Sequence, residues 1–211
     1  MKDIMVYIIR ADTVRETDCS LLAKYMPSRY ERAMRFRRET DRLLCLGAGL
    51  LLMNVLGIRD ESRIQYGEYG KPYVPGAPAF SISHSGSVCI LACGDAANIG
   101  ADIEVSNERH IDVAKRVCTE SELAWMNERD REERFFRLWT WKESVMKAVG
   151  MGLGLDPRSF EVLPFAQQKP TLVQGRLWYP WSGRLEQSCI SVCADEPIRV
   201  HQFETNQRTG H

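Results

Sequence analysis

The sequence predicts an α+β protein built from two similar halves, and three observations support this. Its 211 residues, 44% of them apolar, suffice for one large domain or two small ones of about 100 residues. Apolar residues follow the strand period in some segments and the helix period in others. Residues 89–95 (CILACGD) recur as residues 189–195 (CISVCAD), although so short an echo can arise by chance. We expect halves at 1–97 and 98–204, a polar tail at 205–211, and a site at the junction of the halves.

The N-terminal half is expected to begin with a buried strand, because residues 5–9 are rich in β-formers. Residues 27–56 have helical spacing and a long apolar run. This segment also contains six arginines, at positions 29, 32, 35, 37, 38 and 42. Residues 67–78 contain three Gly and three Pro and are predicted to form a loop. Two strands are expected at 87–93 and 98–104.

The C-terminal half is expected to hold two helices, at 111–128 and 132–149, followed by strands and turns up to residue 200. The sequence Gly150-x-Gly152-x-Gly154 resembles a dinucleotide-binding fingerprint, but it follows a helix and not a strand. It is better explained as a helix C-cap and a turn. The tail 205–211 is polar and is expected to fray.

Composition excludes several classes of protein. With 28 basic and 28 acidic residues the net charge is zero, so the chain is not a general polyanion binder, although a local basic patch stays possible. No segment approaches the ~20 apolar residues of a membrane span, and the N-terminal apolar run is too short for a signal peptide. The seven Cys are expected to be reduced. We therefore expect a cytoplasmic protein that binds neither nucleic acid nor a membrane.

Acidic residues in two separate segments suggest a metal site. Asp102 and Glu104 lie two apart on a predicted strand and share a face, while Glu143 and Lys147 lie four apart on a predicted helix. Each pair alone could be an ordinary surface feature. Converging, the three carboxylates would form a hard-oxygen site for Mg²⁺, or Mn²⁺, with phosphate oxygens as further ligands. A lysine beside them could bind a phosphate as a point charge. The four His have no zinc-ligand spacing.

The segment 80–86 (FSISHSG) also carries polar groups suited to a ligand, and Gly70-Lys71-Pro72 precedes it. It is not the nucleophile elbow of a serine hydrolase, which needs G-x-S-x-G between a strand and a helix. Ser83 and His84 are adjacent in an extended chain and point to opposite faces. We expect a phosphate-binding turn, and the alternative is an ordinary turn with a structural His.

Together these motifs resemble the 4′-phosphopantetheinyl transferases. In this sequence they are G-K-P at 70–72, F-x-x-S-H-S-G at 80–86, G-x-D-x-E at 100–104 and W-x-x-K-E-x-x-x-K-x-x-G-x-G-L from residue 139. The resemblance is to the long, two-halved type that activates peptide and polyketide synthases, and covers about residues 27–155. It implies two pseudo-symmetric halves, each a small antiparallel sheet packed on helices, in a chain that we expect to be monomeric.

The resemblance also implies an activity. The 4′-phosphopantetheine group of coenzyme A would pass to a serine of an apo acyl or peptidyl carrier protein, releasing adenosine 3′,5′-bisphosphate. Asp102, Glu104 and Glu143 would hold Mg²⁺ on the pyrophosphate. Glu143, or a water that it orients, would remove the serine proton. Lys147 would neutralise phosphate oxygens in the reaction.

The remaining implied contacts concern the nucleotide. Lys71 and Pro72 would flank the adenine, and Ser83 and His84 would meet phosphates. Arginines of the N-terminal half would bind the 3′-phosphate, namely Arg29, Arg32 and Arg42. Lys142 would either touch a phosphate from the side or be a solvated helix residue. The sequence departs from the family at Ser81, where Asn is common.

Three other interpretations compete with this one. A short, single-half carrier-protein synthase that assembles as a trimer would have about half this length. A Mg²⁺-dependent phosphohydrolase could use the same carboxylates with water as acceptor. A non-catalytic coenzyme A-binding subunit would not need Glu143 and Lys147. The sequence leaves open which biosynthetic pathway the carrier protein serves.

Overall fold

The structure, a computed structural model, describes residues 1–105, 113–163 and 169–205. The strands are β1 Lys2–Arg10, β2 Gln65–Tyr66, β3 Pro72–Tyr73, β4 Ala79–Ser85, β5 Val88–Gly94, β6 Ile99–Val105, β7 Thr171–Val173, β8 Arg176–Leu185, β9 Ser188–Ala194 and β10 Ile198–Glu204. The helices are α1 Glu16–Tyr25, α2 Pro27–Met34, α3 Glu39–Val55, α4 Ala114–Val117, α5 Glu120–Asn127 and α6 Arg131–Val149.

Two four-stranded sheets form the framework. Their orders are β10-β1-β5-β4 and β6-β9-β8-β7, and β2 and β3 form a separate small hairpin. In the first sheet, β1 pairs antiparallel with β5, and β5 pairs antiparallel with β4. In the second sheet, β6 pairs antiparallel with β9, and β9 pairs antiparallel with β8. The echoed segments 89–95 and 189–195 lie on β5 and β9, which occupy the same place in this order. The predicted α+β class is confirmed, and a symmetry axis relating the halves stays a prediction.

The last strand departs from the predicted division at residues 97 and 98. β10 pairs in parallel with β1, with Lys2 opposite Ile198, so it belongs to the first sheet. That sheet is therefore mixed and not purely antiparallel. The free edge of β1 accounts for the pairing, because it offers unpaired backbone groups to a strand of either half. Thr205, the first residue of the predicted tail, donates two hydrogen bonds to the Ile8 carbonyl, and residues 206–211 lie outside the described residues.

The core is divided by the two sheets into three regions. Helices α1 to α3 pack on one face of the first sheet, and α5 and α6 pack on one face of the second. The remaining faces pack on each other around a shared apolar cluster that includes Ile4, Ile90, Ile103 and Ile190. Within the described ranges, no helix combines the length and apolarity needed to cross a bilayer.

Several predicted segments are more broken than expected. The predicted helix 27–56 is two helices, α2 and α3, separated by residues 35–38. The predicted helix 111–128 is also two helices, because Thr119 starts α5 with a capping box to Glu122; residues 111 and 112 lie outside the described residues. The helix predicted at 132–149 is confirmed as α6, which ends at Gly150 with φ 88°.

Candidate active site

The site lies where α6 rests on β6, and Gly100 makes this close approach possible. A Cβ atom at Gly100 would overlap the Ser144 carbonyl oxygen and the Ala148 amide nitrogen of α6. The chain therefore brings the backbones of β6 and α6 together at a residue without a side chain. Two and four residues further along β6, Asp102 and Glu104 follow on the same face.

Asp102 and Lys147 form the central contact. The Lys147 ammonium donates to Asp102 Oδ1 at 2.6 Å, and the Ser83 hydroxyl donates to the same oxygen at 2.7 Å. Asp102 is buried, and its Oδ2 has no hydrogen-bond partner among the described residues. Burial lowers the pKa of Lys147, but Asp102 and Glu143 outweigh it and leave that pKa above its usual value. Lys147 is thus held as a cation.

Glu143 is placed to titrate near neutral pH. Its side chain is 16% exposed, and its Oε2 lies 3.8 Å from the Lys147 ammonium, one turn along α6. Burial raises the pKa of Glu143 to about 7, against the opposing effect of Lys147 and with further increases from Asp102 and Glu104. Among the described residues, no protein group donates a close hydrogen bond to it that would hold it ionised.

Glu104 is held by residues from two other elements. Its Oε2 accepts a hydrogen bond from Ser85 of β4 at 2.7 Å. Burial raises the pKa of Glu104, and the charge of Asp102 raises it further. Hydrogen bonds from Ser85 and from Trp139 of α6 act in the opposite direction. Trp139, which was not among the expected site residues, therefore contacts the site.

The carboxylates do not form a closed metal cage. Among the described residues, no group of three or more His, Cys, Asp and Glu is close enough together to hold a metal ion. The expected trio is nevertheless within electrostatic reach, since Asp102 and Glu104 both act on Glu143. Buried Asp102 Oδ2 is a hard oxygen without a partner in the described chain. Such a set fits Mg²⁺, which usually takes one or two protein carboxylates and completes its shell with phosphate and water.

A cavity of about 230 Å³ opens beside Lys147. Its lining comes from the β2–β3 hairpin, from β4 and from the end of α6, namely Tyr69, Gly70, Lys71, Pro72, Phe80, Ser81, Ile82, Lys147, Gly150 and Gly152. Lys71 and Pro72 thus lie together at a pocket, where the family resemblance expects the adenine.

The ammonium of Lys71 is engaged by the protein itself. It donates to the carbonyls of Ile99 at 2.9 Å and Ala148 at 3.3 Å. Ala148 lies in the last turn of α6, where a cation is favoured by the helix dipole. Burial lowers the pKa of Lys71 to about 8, and the charge of Asp195 partly offsets this. Lys71 therefore ties the N-terminal half to β6 and α6 as well as lining the cavity.

The prediction of a turn at residues 80–86 is wrong, because most of this segment is a strand. Residues Ala79–Ser85 form strand β4, and a tight turn follows at Gly86, whose φ is 59°. The alternation of the strand sends Ser83 to Asp102 and leaves His84 on the other side, as the adjacent-residue argument predicted. Burial lowers the pKa of His84, and the nearby charges of Lys147 and Arg32 lower it further.

The three expected arginines are placed differently. Arg32 is exposed and close enough to act on His84. The stem of Arg29 packs over Gly49 of α3, and its buried Nε has no hydrogen-bond partner among the described residues. Arg42 is engaged in an ion pair with Glu39 at 3.4 Å. Arg32 is therefore the best placed of the three to share a ligand with His84.

The structure corrects the assignment of Lys142. Its side chain is fully buried and pairs with fully buried Glu122 at 2.9 Å. Its ammonium also donates to the carbonyls of Pro157 at 2.6 Å and Phe160 at 2.8 Å, which uses all three of its donors. Lys142 is thus neither a phosphate ligand nor a solvated residue. It lies one position before Glu143, and the 100° step of the helix turns it into the core.

Two hydroxyls that contact the site were not among the expected site residues. The Ser81 hydroxyl accepts a hydrogen bond from the Ala101 amide at 3.0 Å, and Ser85 holds Glu104 as described above. With Ser83 they form a row of alternate serines along β4. The signal was present in the sequence as S-x-S-x-S, whose period of two places all three on one face of a strand.

Comparisons with known proteins find matches over most of the chain. The sequence model of the 4′-phosphopantetheinyl transferase superfamily matches residues 98–197, which include β6, α6 and β9. The 4′-phosphopantetheinyl transferase Sfp of Bacillus subtilis is 33% identical over 172 residues, covering 77% of this chain and 76% of that protein. The chain belongs to the 4′-phosphopantetheinyl transferase family. The alignment extends over more than either half, as expected for the long type.

Other relatives match shorter parts of this transferase. The 4′-phosphopantetheinyl transferase gsp of Aneurinibacillus migulanus is 36% identical over 113 residues, covering 52% of this chain and 47% of that protein. A crystal structure of the Thermotoga maritima holo-[acyl-carrier-protein] synthase is 19% identical and covers 48% of this chain and 64% of that one, with a TM-score of 0.38. That likeness is too distant to support an argument.

Proposed function

We propose that this transferase moves the 4′-phosphopantetheine group of coenzyme A to a serine hydroxyl of an apo acyl or peptidyl carrier protein, with Mg²⁺ as cofactor. The bond between the serine oxygen and the β-phosphorus forms, and the bond from that phosphorus to the bridging pyrophosphate oxygen breaks. Adenosine 3′,5′-bisphosphate leaves. The partly buried contact of Lys147 with Asp102, beside Glu143 and the cavity, is the observation that supports this most.

Glu143 is the residue best suited to take the serine proton, directly or through a water that it orients. A general base works best when its pKa lies near the operating pH. In the metal-free chain, burial raises the pKa of Glu143 to about 7, so its carboxylate is more basic than an exposed one. Bound Mg²⁺ would lower that pKa again and keep the residue ionised and ready to accept a proton. The serine that it deprotonates belongs to the carrier protein.

Lys147 supplies positive charge where the leaving phosphate becomes more negative. It is kept protonated by Asp102 and Glu143, and Ser83 accepts a further hydrogen bond from its ammonium at 3.1 Å. A preorganised cation of this kind stabilises developing charge without rearrangement during the reaction. Positioning and charge stabilisation would then supply most of the rate enhancement.

Mg²⁺, when bound, would neutralise the pyrophosphate of coenzyme A. Asp102, through its unpartnered Oδ2, together with Glu104 and Glu143 would hold the ion. Phosphate oxygens and water would complete its coordination. Lys71 and Pro72 would flank the adenine at the cavity, and His84 with Arg32 would meet the 3′-phosphate. The Ser83 hydroxyl donates to Asp102 and accepts from Lys147, so it would contact a phosphate only while it keeps these two bonds or gives one of them up.

Mass spectrometry of a carrier protein tests this proposal. An apo carrier incubated with the enzyme, coenzyme A and Mg²⁺ should gain the mass of phosphopantetheine, and excess EDTA should prevent the gain. Consumption of coenzyme A without a heavier carrier would instead indicate the phosphohydrolase. Binding of coenzyme A with neither change would indicate a non-catalytic subunit. A panel of apo carriers from fatty acid, polyketide, peptide and siderophore synthesis would then identify the partner.

Two further expectations belong to the same proposal. The enzyme would act in the cytoplasm, where apo carrier proteins and coenzyme A are found together. It would act as a monomer, as the resemblance to the long, two-halved type implies. Sedimentation at the concentration used for the assay would test the second expectation, and a dimer would contradict it.

A further inference from the structure

The edges of the two sheets meet between β4 and β6, and serine hydroxyls bridge them. These strands are in extensive contact, yet in the described part of the chain no backbone ladder pairs them. Instead, the Ser81 hydroxyl accepts from the Ala101 amide at 3.0 Å, and the Ser85 hydroxyl accepts from the Val105 amide at 3.1 Å. The serines thus accept hydrogen bonds from backbone amides of β6 that would otherwise lack an acceptor at the edge of the sheet.

Ser85 makes a second bond that Ser81 does not share. Its hydroxyl donates to Glu104 Oε2 at 2.7 Å. The Val105 amide can only donate, so the Ser85 oxygen accepts from it, and the one proton of the hydroxyl is donated to the Glu104 carboxylate, which accepts when it is ionised. The Val105 amide fixes the oxygen of Ser85, and Ser85 in turn fixes the carboxylate of Glu104.

We propose that Ser85 is a positioning residue that holds the Glu104 carboxylate ready for the divalent ion. This inference rests on the proposed function, because it assumes that Glu104 is a ligand of that ion. Glu104 is longer than Asp102 and has one more side-chain torsion to order. Asp102 is fixed by Lys147 and Ser83, whereas Glu104 depends on Ser85 and Trp139. Residues that orient a metal ligand in this way commonly contribute 10- to 100-fold to metal affinity.

The position of Ser85 also links the two halves of the protein. It ends β4, whose earlier residues Phe80, Ser81 and Ile82 line the cavity. Glu104 lies on β6 of the other half. The Ser85 hydroxyl therefore fixes the position of the Glu104 carboxylate relative to β4, the strand that lines the cavity. A metal ion bound by both Glu104 and the pyrophosphate would need this fixed distance between the carboxylate and the cavity.

Binding of Mn²⁺ tests the inference without relying on turnover. Electron paramagnetic resonance would measure the dissociation constant of Mn²⁺ in the presence of saturating coenzyme A. We expect Ser85→Ala to raise it about 10-fold or more, and Ser85→Cys, which keeps the size but donates weakly, to raise it similarly. Ser85→Thr keeps the hydroxyl and should restore binding. Coenzyme A affinity without metal should match that of the unmodified protein in all three.

The matched control is Ser182→Ala. Among the described residues, the Ser182 hydroxyl of β8 bonds within the second sheet, to the Ile190 carbonyl at 3.4 Å and the Ser191 hydroxyl at 3.1 Å. Ser182→Ala should therefore keep normal Mn²⁺ binding. Unchanged Mn²⁺ affinity in both Ser85→Ala and Ser85→Cys would overturn the positioning role. If the unmodified protein binds Mn²⁺ with coenzyme A but leaves carrier proteins unmodified, the proposed function fails while the role of Ser85 is still decided. If it binds no Mn²⁺, both fail.

Discussion

The Lys147 ammonium lies 2.6 Å from Oδ1 of Asp102, so a cation on α6 and a carboxylate on β6 neutralise each other inside the protein. Each would be costly to bury alone. Together they leave Asp102 Oδ2 without a partner among the described residues and keep Lys147 charged. The contact therefore stabilises the fold, and under the proposed function it would also prepare both groups for an anionic substrate and its metal ion.

Removal of Lys147 should slow the chemical step. We expect Lys147→Ala to lower kcat and kcat/KM together, by roughly 10²-fold or more, because the contact strengthens as charge develops on the leaving phosphate. Single-turnover rates with saturating coenzyme A and apo carrier would measure this. Lys24→Ala is the control, since Lys24 is exposed and its ammonium lies over the Tyr25 ring. Transfer by Lys147→Ala at the normal rate would contradict the assignment.

Lys142 should matter for stability and not for phosphate binding. Lys142→Met leaves Glu122 as an unpaired charge in the core, which typically costs about 3–5 kcal/mol of unfolding free energy. The double variant Lys142→Met with Glu122→Gln removes both charges, keeps an acceptor for the backbone amides of Thr119 and Val162, and should recover part of this loss. Urea unfolding would measure the stability of the three proteins. A Lys142→Met protein as stable as the unmodified one, but with weaker coenzyme A binding, would show that Lys142 meets the phosphates after all.

Lys142 also shows what local sequence can and cannot predict. Helical geometry places Lys142 about 100° away from Glu143, so the sequence separates the two residues correctly. It cannot show that Glu122 of α5 lies opposite Lys142, because that contact depends on how two helices pack. The same holds for β10, whose pairing with β1 joins the two ends of the chain. Contacts between distant segments are set by tertiary packing and leave no periodic signal.

The motifs of β6 and α6 were more predictable, because each depends on a local period. Alternation on a strand placed Asp102 and Glu104 on one face, and the helical repeat placed Glu143 and Lys147 together. The sequence wrongly predicts a turn at 80–86, because Ser and Gly residues favour turns, whereas pairing with β5 makes residues 79–85 a strand. The role of its serines depends on the neighbouring edge of β6, which the sequence does not reveal.

Gly100 should tolerate no side chain. In Gly100→Ala the new methyl group would overlap backbone atoms of Ser144 and Ala148, so α6 must move away from β6. We expect a loss of stability together with a fall in kcat of roughly 10²-fold, because displacement of α6 separates Lys147 from Asp102. Thermal unfolding and transfer assays would measure both. Gly67→Ala is the control, since its added Cβ meets only the Lys71 carbonyl oxygen at 3.7 Å. Normal activity in Gly100→Ala would contradict the close packing.

His84 should affect binding of the nucleotide more than the chemistry. Loss of a charge-assisted hydrogen bond costs about 1.5–3 kcal/mol, or roughly 10- to 100-fold in affinity. We expect His84→Ala to lower the affinity for coenzyme A by this factor. The variant should also lose the preference for coenzyme A over its 3′-dephospho form. Calorimetric titration with both compounds would measure the preference. His201→Ala is the control, because His201 pairs with Asp3 at 2.9 Å on the far β1–β10 edge. An equal preference for coenzyme A in His84→Ala and in the unmodified protein would refute the contact between His84 and the 3′-phosphate.

Glu143 should make the metal-free protein less stable as the pH rises. Its pKa is raised from 4.5 to about 7, so the folded state binds this proton more tightly than the unfolded state does. Below pH 4.5 both states are protonated and the group costs nothing. Above pH 7 the folded protein holds a buried charge, at a cost of about 3 kcal/mol relative to the unfolded chain.

The variant Glu143→Gln, neutral at every pH, isolates this effect. In EDTA, its unfolding free energy should equal that of the unmodified protein at pH 4 and exceed it by about 3 kcal/mol at pH 8. Glu68→Gln is the control, because Glu68 is exposed and its replacement should change stability little at either pH. A constant difference across this range would mean that Glu143 titrates normally. The same variant should lose roughly 10²-fold or more in transfer at pH 8, because glutamine cannot accept the serine proton that the proposed mechanism passes to Glu143.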